Sequence, residues 1–116
     1  MNVLRLRLEA RAPAFRCHRA YEIAVSQDLF GIWLTEMTYG RIGAAGQTKT
    51  RSFARIEDAA SAVDASLRRR ATLPRRLGVA YRLRSIESSA TWGSADLSER
   101  LSSFVDAETE ARLNLR

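Results

Sequence analysis

The sequence is poor in the residues that build disulfide frameworks and metal centres. It contains one cysteine and one histidine in 116 residues. A single cysteine excludes an intramolecular disulfide, and Cys17 with His18 offers too few ligands for a tetrahedral zinc site. No apolar run approaches the roughly 18 residues that a membrane-spanning helix needs. We therefore expect no disulfide, no metal, no cofactor and no membrane span.

Lysine is also nearly absent, because 18 of the 19 basic residues are arginine. Residues 1–84 carry 16 basic and 7 acidic side chains, a net charge of +9, whereas residues 85–116 carry 3 and 6, a net charge of −3. A basic body with an acidic tail suits a polyanionic partner, with the tail lying elsewhere or covering the site. The alternative is that the arginines only keep the surface soluble and bind no partner.

The first residues also lack the features of a signal peptide. Arg5 and Arg7 interrupt the N-terminal segment, and no apolar stretch precedes a small-residue cleavage site. Together with the lone cysteine, this pattern predicts a cytoplasmic protein.

Hydrophobic periodicity predicts an α+β domain. Apolar residues alternate with polar ones in several segments, the pattern of half-buried strands, and the period becomes helical from Ile56. Acidic residues open this helix, Arg68-Arg69-Arg70 close it, and Pro74 marks its end. The predicted strands are residues 2–9, 15–25, 30–39, 48–53 and 79–84.

The acidic C-terminal part predicts a short second helix. Ser94 is its expected N-cap, and its apolar face consists of Leu97, Leu101, Phe104 and Val105. The expected fold is thus a mostly antiparallel sheet of four to five strands with one long helix packed on it, plus a short C-terminal helix. We divide the chain into a domain at residues 1–84 and an acidic extension at residues 85–116.

The segment from Tyr39 to Gln47 is the strongest functional signal. Gly40, Gly43 and Gly46 allow a sharp turn and close approach of the backbone to another surface. Beside them, Arg41 is suited to pairing with a phosphate, and Tyr39 to stacking on a sugar or a base. This combination is typical of a nucleic-acid contact loop and not of a catalytic site.

These residues resemble the WGR domain, which is named for a Trp-Gly-Arg motif and occurs in poly(ADP-ribose) polymerases and in bacterial proteins. The likeness covers roughly residues 2–84, with several separate elements in the same order. The matching elements are Arg19-Ala20-Tyr21, Leu29-Phe30-Gly31-Ile32-Trp33, Tyr39-Gly40-Arg41-Ile42-Gly43, Gly46-Gln47, Phe53 and Ala59-Ala60.

The resemblance implies a non-catalytic domain of the fold described above. In the polymerases the domain binds DNA ends, its motif tryptophan packs on a terminal sugar, and its motif arginine makes DNA and interdomain contacts. The corresponding positions here are Tyr39 and Arg41. Tyrosine keeps an aromatic face but is smaller, so weaker stacking is implied. The segment 74–81 is also longer than in many bacterial members.

Other basic side chains extend the expected contact surface. Strand alternation places Gln47, Lys49 and Arg51 on one face, and arginines close the helix. Each position also has a structural alternative: Arg41 bracing the loop against Glu36, Tyr39 capping the core, and the helix arginines only complementing the helix dipole. The predicted nucleic-acid-binding residues are Tyr39, Gly40, Arg41, Gln47, Lys49, Arg51, Arg69 and Arg70.

No catalytic arrangement is recognisable. Cys17 and His18 are adjacent in a strand and point to opposite faces, which disfavours a nucleophilic pair and favours a buried, inert thiol. Trp33 is expected in the core, and Trp92-Gly93 is not a second motif because no arginine follows it. We therefore expect a protein that is not an enzyme.

The sequence thus predicts a nucleic-acid-binding module that recognises the backbone or an end, with DNA favoured over RNA. The alternative is a protein-interaction module. Its docking or self-association face would be the C-terminal apolar residues Leu97, Leu101 and Phe104.

Overall fold

The computed structural model describes residues 2–72, 79–89, 92 and 100–105. They form one five-stranded sheet, in which all neighbouring strands are antiparallel, and one long helix. The predicted α+β architecture is confirmed. The strands, in the spatial order β4-β3-β2-β1-β5, and the helix are β1 (Asn2–Ala12), β2 (Cys17–Gln27), β3 (Trp33–Arg41), β4 (Gln47–Phe53), α1 (Ile56–Ala71) and β5 (Arg82–Ser88).

The core lies on one face of the sheet. Strand register places Leu6 beside Ile23, and Ile23 beside Met37, so the apolar sets of three strands form one surface. Helix α1 packs over this surface, and its Ser66 hydroxyl contacts the Met37 sulfur at 3.0 Å. The apolar stripe of the helix is buried, as its period predicts: Ala59, Val63 and Leu67.

Strand β3 begins at Trp33, and not at Phe30 as the apolar pattern predicts. The cause is Asp28, whose carboxylate accepts hydrogen bonds from the backbone N–H groups of Phe30 and Ile32. An aspartate that binds its own downstream backbone stabilises a turn against a strand. Residues 28–32 therefore form the connection between β2 and β3.

Strand β5 spans Arg82–Ser88, later than the predicted residues 79–84. Val79 and Tyr81 are buried but precede the strand, while the polar residues after Leu83 pair with β1. At a sheet edge one side of the strand faces solvent, so a polar sequence is compatible with pairing. The strand crosses the predicted domain boundary at residue 84.

The C-terminal segment contributes to the core. Leu101 and Phe104 are buried, and Phe104 is the last residue of a short 3-10 turn at Ser102–Phe104. The docking face predicted from Leu101 and Phe104 is thus wrong, because these side chains are already covered by their own domain. The remaining member of that face, Leu97, and the predicted cap Ser94 lie outside the described residues.

Polar contacts tie this segment to the helix. The Arg100 guanidinium donates to an Asp64 carboxylate oxygen at 2.6 Å. The hydrogen bond from Arg100 is the main cause that lowers the pKa of Asp64. Trp92, which is not part of a second Trp-Gly-Arg motif, is buried in the same core as Phe104. No helix among the described residues is long and apolar enough to cross a membrane.

Candidate nucleic-acid interface

The glycine loop between β3 and β4 depends on close backbone packing. A Cβ atom on Gly46, whose φ is +73°, would lie 2.6 Å from the Tyr39 carbonyl oxygen. A Cβ on Gly40 would lie 2.8 Å from the Gly46 Cα. No side chain fits at such distances, so both glycines are required for the hairpin. The loop therefore holds Tyr39 and Arg41 at one end of the sheet.

Strand register brings the loop residues next to β2. Arg19 lies directly opposite Arg41, and Tyr21 lies opposite Tyr39. Directly opposed residues in an antiparallel pair share a face, so all four side chains project from the helix side of the sheet. The two tyrosine rings are stacked, with centroids 6.4 Å apart and planes at 21°.

The aromatic pair is flanked by cationic side chains. The Arg70 guanidinium, from the last turn of α1, lies 4.1 Å from the Tyr21 ring centroid, and the Lys49 ammonium lies 6.0 Å from that of Tyr39. The Tyr39 hydroxyl donates a hydrogen bond to the Gln47 side-chain oxygen at 3.1 Å. These contacts hold the Tyr39 ring in place and leave it partly exposed.

An arginine-rich cleft opens beside these rings. It has a volume of about 380 Å³, and its lining includes four arginines and two tyrosines. None of the described residues that line it is acidic. In a concave site, several positive charges without a counter-charge attract an anion. The lining residues are Arg16, His18, Arg19, Tyr39, Gly40, Arg41, Arg70 and Tyr81.

Arg41 does not brace the loop against Glu36. The two residues are five positions apart in one strand and so lie on opposite faces of the sheet. Within the part of the chain that the structure describes, no ion pair includes Arg41. Its exposed guanidinium is available to a ligand in the cleft.

Two further cleft residues, Tyr81 and Arg70, carry hydrogen-bond donors. Burial raises the pKa of the Tyr81 phenol, although the nearby charges of Arg70 and Arg19 oppose this shift. A phenol with a raised pKa stays protonated at neutral pH and can donate a hydrogen bond to an anion. The Arg70 Nε atom is buried without a hydrogen-bond partner among the described residues, so the cleft contains an unsatisfied cationic donor.

The predicted site residues divide into two groups. Tyr39, Gly40, Arg41 and Arg70 line the cleft. The others lie outside it: Gln47, Lys49 and Arg51 follow β4 along the helix side of the sheet, as alternation predicts, and Arg69 is exposed on α1. Their role in binding stays a prediction.

Four cleft residues are missing from the predicted nucleic-acid-binding set: Arg16, His18, Arg19 and Tyr81. Arg19 shares its face with Tyr21 by alternation, but only the pairing of β2 with β3 places it beside Arg41. Arg16 follows the 3-10 turn Pro13–Phe15 and adopts a left-handed conformation, with φ +52°. Tyr81 comes from a segment far along the chain. No local pattern marks either position, because tertiary packing alone brings them together.

The expected burial of Cys17 and Trp33 is confirmed. The Cys17 thiol is buried and contacts the Ala10 carbonyl oxygen at 3.8 Å, and Trp33 is buried in the core. Among the described residues, no group of three or more potential metal ligands comes together.

A known family matches the part of the chain that runs from β1 to the end of α1. The sequence pattern of the WGR domain matches residues 4–72, more than half of the chain. The chain belongs to the WGR domain family. This family is a non-catalytic one that is associated with nucleic-acid binding in general. A search among curated proteins found no match. The cleft uses the WGR segment for most of its lining, and Tyr81 lies beyond the matched residues.

Proposed function

We propose that this WGR protein is a non-enzymatic module that binds DNA through its sugar-phosphate backbone, with a chain end or a break held at the arginine-rich cleft. The observation that carries the proposal is the convergence of four arginines and two tyrosines in a cleft whose described lining contains no acidic residue. Guanidinium groups form paired hydrogen bonds with phosphate oxygens, and aromatic faces stack on sugars and bases.

The surface beside the cleft supports a longer contact path. Lys49 and Arg51 lie on β4 on the same face as Tyr39, so positive charge continues from the cleft along the sheet edge. Such a row suits successive phosphates of one strand. Because phosphate contacts fix position but carry no sequence information, we expect selectivity for structure and little dependence on base sequence.

Fluorescence anisotropy with labelled oligonucleotides tests the proposal. Blunt, nicked, overhanging and single-stranded DNA of one sequence, a closed circular duplex and the RNA equivalent are titrated at about 50 and 200 mM salt. If the four cleft arginines neutralise four phosphates, the affinity should fall by roughly 100-fold between these concentrations. DNA with ends or nicks should bind more tightly than a circular duplex. Absence of binding to any DNA at the lower salt concentration would refute the proposal.

The ligand panel also tests the preference for ends and the choice of DNA over RNA separately. Equal affinity for circular and end-bearing DNA would leave backbone binding intact but remove the end preference. Tighter binding of RNA than of DNA would contradict the choice of DNA, since only the 2′-hydroxyl and helix shape distinguish the two backbones.

Replacement of Arg16 by glycine should produce opposite effects on folding and binding. Glycine relieves the left-handed conformation at φ +52°, which costs other residues about 1 kcal/mol. The variant should therefore be slightly more stable while binding DNA roughly 10-fold more weakly, because a charged contact is lost. Urea denaturation and anisotropy measure the two effects. Arg16→Ala, which keeps the backbone strain, should lose affinity without gaining stability; equal DNA affinity in both variants and the parent would remove Arg16 from the site.

A further inference from the structure

The face of the sheet away from α1, which we call the outer face, carries an ion-pair network centred on Glu9. The Glu9 carboxylate accepts hydrogen bonds from the Nε atoms of Arg7 at 2.8 Å and Arg11 at 3.0 Å, and Arg84 Nε lies 3.7 Å from it. Burial alone raises the pKa of the Glu9 carboxyl, but the hydrogen bonds from Arg7 and Arg11 outweigh burial and lower it. Glu9 is therefore an anion at neutral pH that holds three guanidinium groups in place.

This network contains more arginine than its carboxylates need. Arg7 alone contacts both acidic members, because its Nε binds Glu9 and its Nη1 binds Glu22 at 2.7 Å. Arg11 and Arg84 are additional, so the network of three arginines and two glutamates has one positive charge in excess. Like charges that are held close together repel each other. Neutralisation of Glu9 therefore does not explain why both arginines are present.

Arg11 and Arg84, which we call the outer arginine pair, retain most of their hydrogen-bond donors. Both approach the same Glu9 oxygen, Oε1, through Nε. Their side chains are 56% and 52% exposed, and within the described residues neither donates a hydrogen bond from a terminal nitrogen. A guanidinium that is anchored at Nε keeps its terminal N–H groups for a second anion. The pair is thus a preorganised set of cationic donors, which suits the oxygens of a phosphate.

A β-bulge in β5 places Arg84 in this position. Between two pairs of the ladder, Leu83 with Leu8 and Ser85 with Arg7, β5 has one residue more than β1. The extra residue is Arg84. Bulges of this kind change the direction of a side chain and are frequent beside functional sites. The backbone irregularity and the surplus charge are independent features, and both involve Arg84.

The outer arginine pair lies at the same end of the sheet as the arginine-rich cleft. Arg11 is one residue before the end of β1, and the short connection after it leads to Arg16, which lines the cleft. Across the strand pair, Arg11 lies opposite His18, the neighbour of Arg19 in the cleft. Positive charge therefore continues from the helix side of the sheet, round the β1–β2 connection, to the outer face.

We propose that Arg11 and Arg84 bind a backbone phosphate of DNA at a second site, on the sheet face opposite the cleft. This inference rests on the proposed function, because it supplies a further contact for DNA that is held at the cleft. Guanidinium groups bind phosphate oxygens through paired hydrogen bonds, and two of them share the charge of one phosphate. DNA at the cleft then contacts both faces of one sheet end, and the added contact carries no base-sequence information.

Fluorescence anisotropy with nicked DNA over a range of salt concentrations compares the parent with Arg11→Gln/Arg84→Gln. The double variant should bind about 10-fold more weakly, and its plot of log affinity against log salt should be shallower by roughly one unit, as expected for one lost phosphate contact. The variant should fold as the parent does, because Glu9 keeps its hydrogen bond from Arg7. Equal thermal unfolding midpoints check this point.

The matched control is Arg5→Gln/Arg55→Gln, which removes the same charge. Arg5 is exposed on the outer face, six residues before Arg11 in β1 and thus roughly 20 Å away. Arg55 is exposed before α1, at the sheet end opposite the cleft. The control should lose only a few-fold in affinity and keep the salt dependence of the parent. Equal losses in the two double variants would overturn the proposal, because diffuse charge would then account for both.

The same measurements separate this site from the cleft. DNA binding that depends on Arg41 but not on the outer arginine pair refutes the second site and leaves the proposed function intact. Binding that depends on the outer arginine pair but not on Arg41 supports the second site and removes the cleft.

Inorganic phosphate tests the site if the parent binds no DNA or if the double variant is less stable. In NMR spectra of the parent, the side-chain Nε–H signals of Arg11 and Arg84 should shift as phosphate is added at constant ionic strength, whereas that of Arg5 should not. Unchanged Arg11 and Arg84 signals at about 50 mM phosphate would then refute the site.

Discussion

Arg41→Glu should weaken DNA binding at about 50 mM salt by roughly 100-fold. Arg41 is exposed at the cleft, has no ion-pair partner among the described residues, and lies opposite Arg19. Removal of a charge-assisted hydrogen bond costs about 1.5–3 kcal/mol, which alone corresponds to a factor of 10 to 150. The introduced carboxylate also repels phosphate and can pair with the remaining arginines. Fluorescence anisotropy with nicked DNA measures the loss.

The matched control is Arg5→Glu. Arg5 is also exposed, but strand register places it opposite Ala24, on the face of the sheet away from α1. The two variants have the same net charge, so a difference between them reports position and not overall electrostatics. Arg5→Glu should lose only a few-fold in affinity. Equal losses in the two variants would show that the protein binds through diffuse charge and that the cleft has no special role.

Phe104→Ala should destabilise the protein by about 3–5 kcal/mol, the range measured for buried phenylalanines. Phe104 is 1% exposed and belongs to the same core cluster as the sheet and α1. Domains of this size are commonly stable by only about 5–15 kcal/mol, so the loss is a large part of the total. Urea denaturation followed by circular dichroism measures the difference in the free energy of unfolding.

The neighbouring exposed residue provides the comparison. Ser103→Ala, in the same 3-10 turn, should change the free energy of unfolding by less than about 0.5 kcal/mol. A small effect of Phe104→Ala would mean that the C-terminal segment is not required for the core. A large effect would also mean that a fragment ending at residue 84 cannot preserve the stability of the whole chain.

Much of the fold follows from local patterns. Alternation in residues 2–9 predicts a strand with Leu4, Leu6 and Leu8 on its buried face, and the structure confirms this. The period from Ile56 predicts α1, whose last turn carries the expected arginines. These features depend on residues close in sequence, because burial of one face imposes a period of about 2 or 3.6 residues. The glycine loop and its WGR resemblance are recognisable for the same reason.

The start of β3 and the position of β5 are predicted less well. The apolar run from Leu29 to Ile32 suggested a strand, but the Asp28 side chain stabilises a turn there. Conversely, the predicted last strand ended at residue 84, yet residues up to Ser88 pair with β1 at the sheet edge. In both cases a specific contact outweighs the average preference of the residue types.

The sequence by itself determined the α+β class, the strand faces, the main helix and the loop that carries Tyr39 and Arg41. Only the tertiary structure decided that Arg16, Arg19 and Tyr81 join them in one cleft, and that the exposed apolar surface lies at Leu29 and Phe30 and not at Phe104. The physical reason is that periodicity records which face of an element is buried. Strand register and packing decide which distant side chains meet, and these depend on the whole chain.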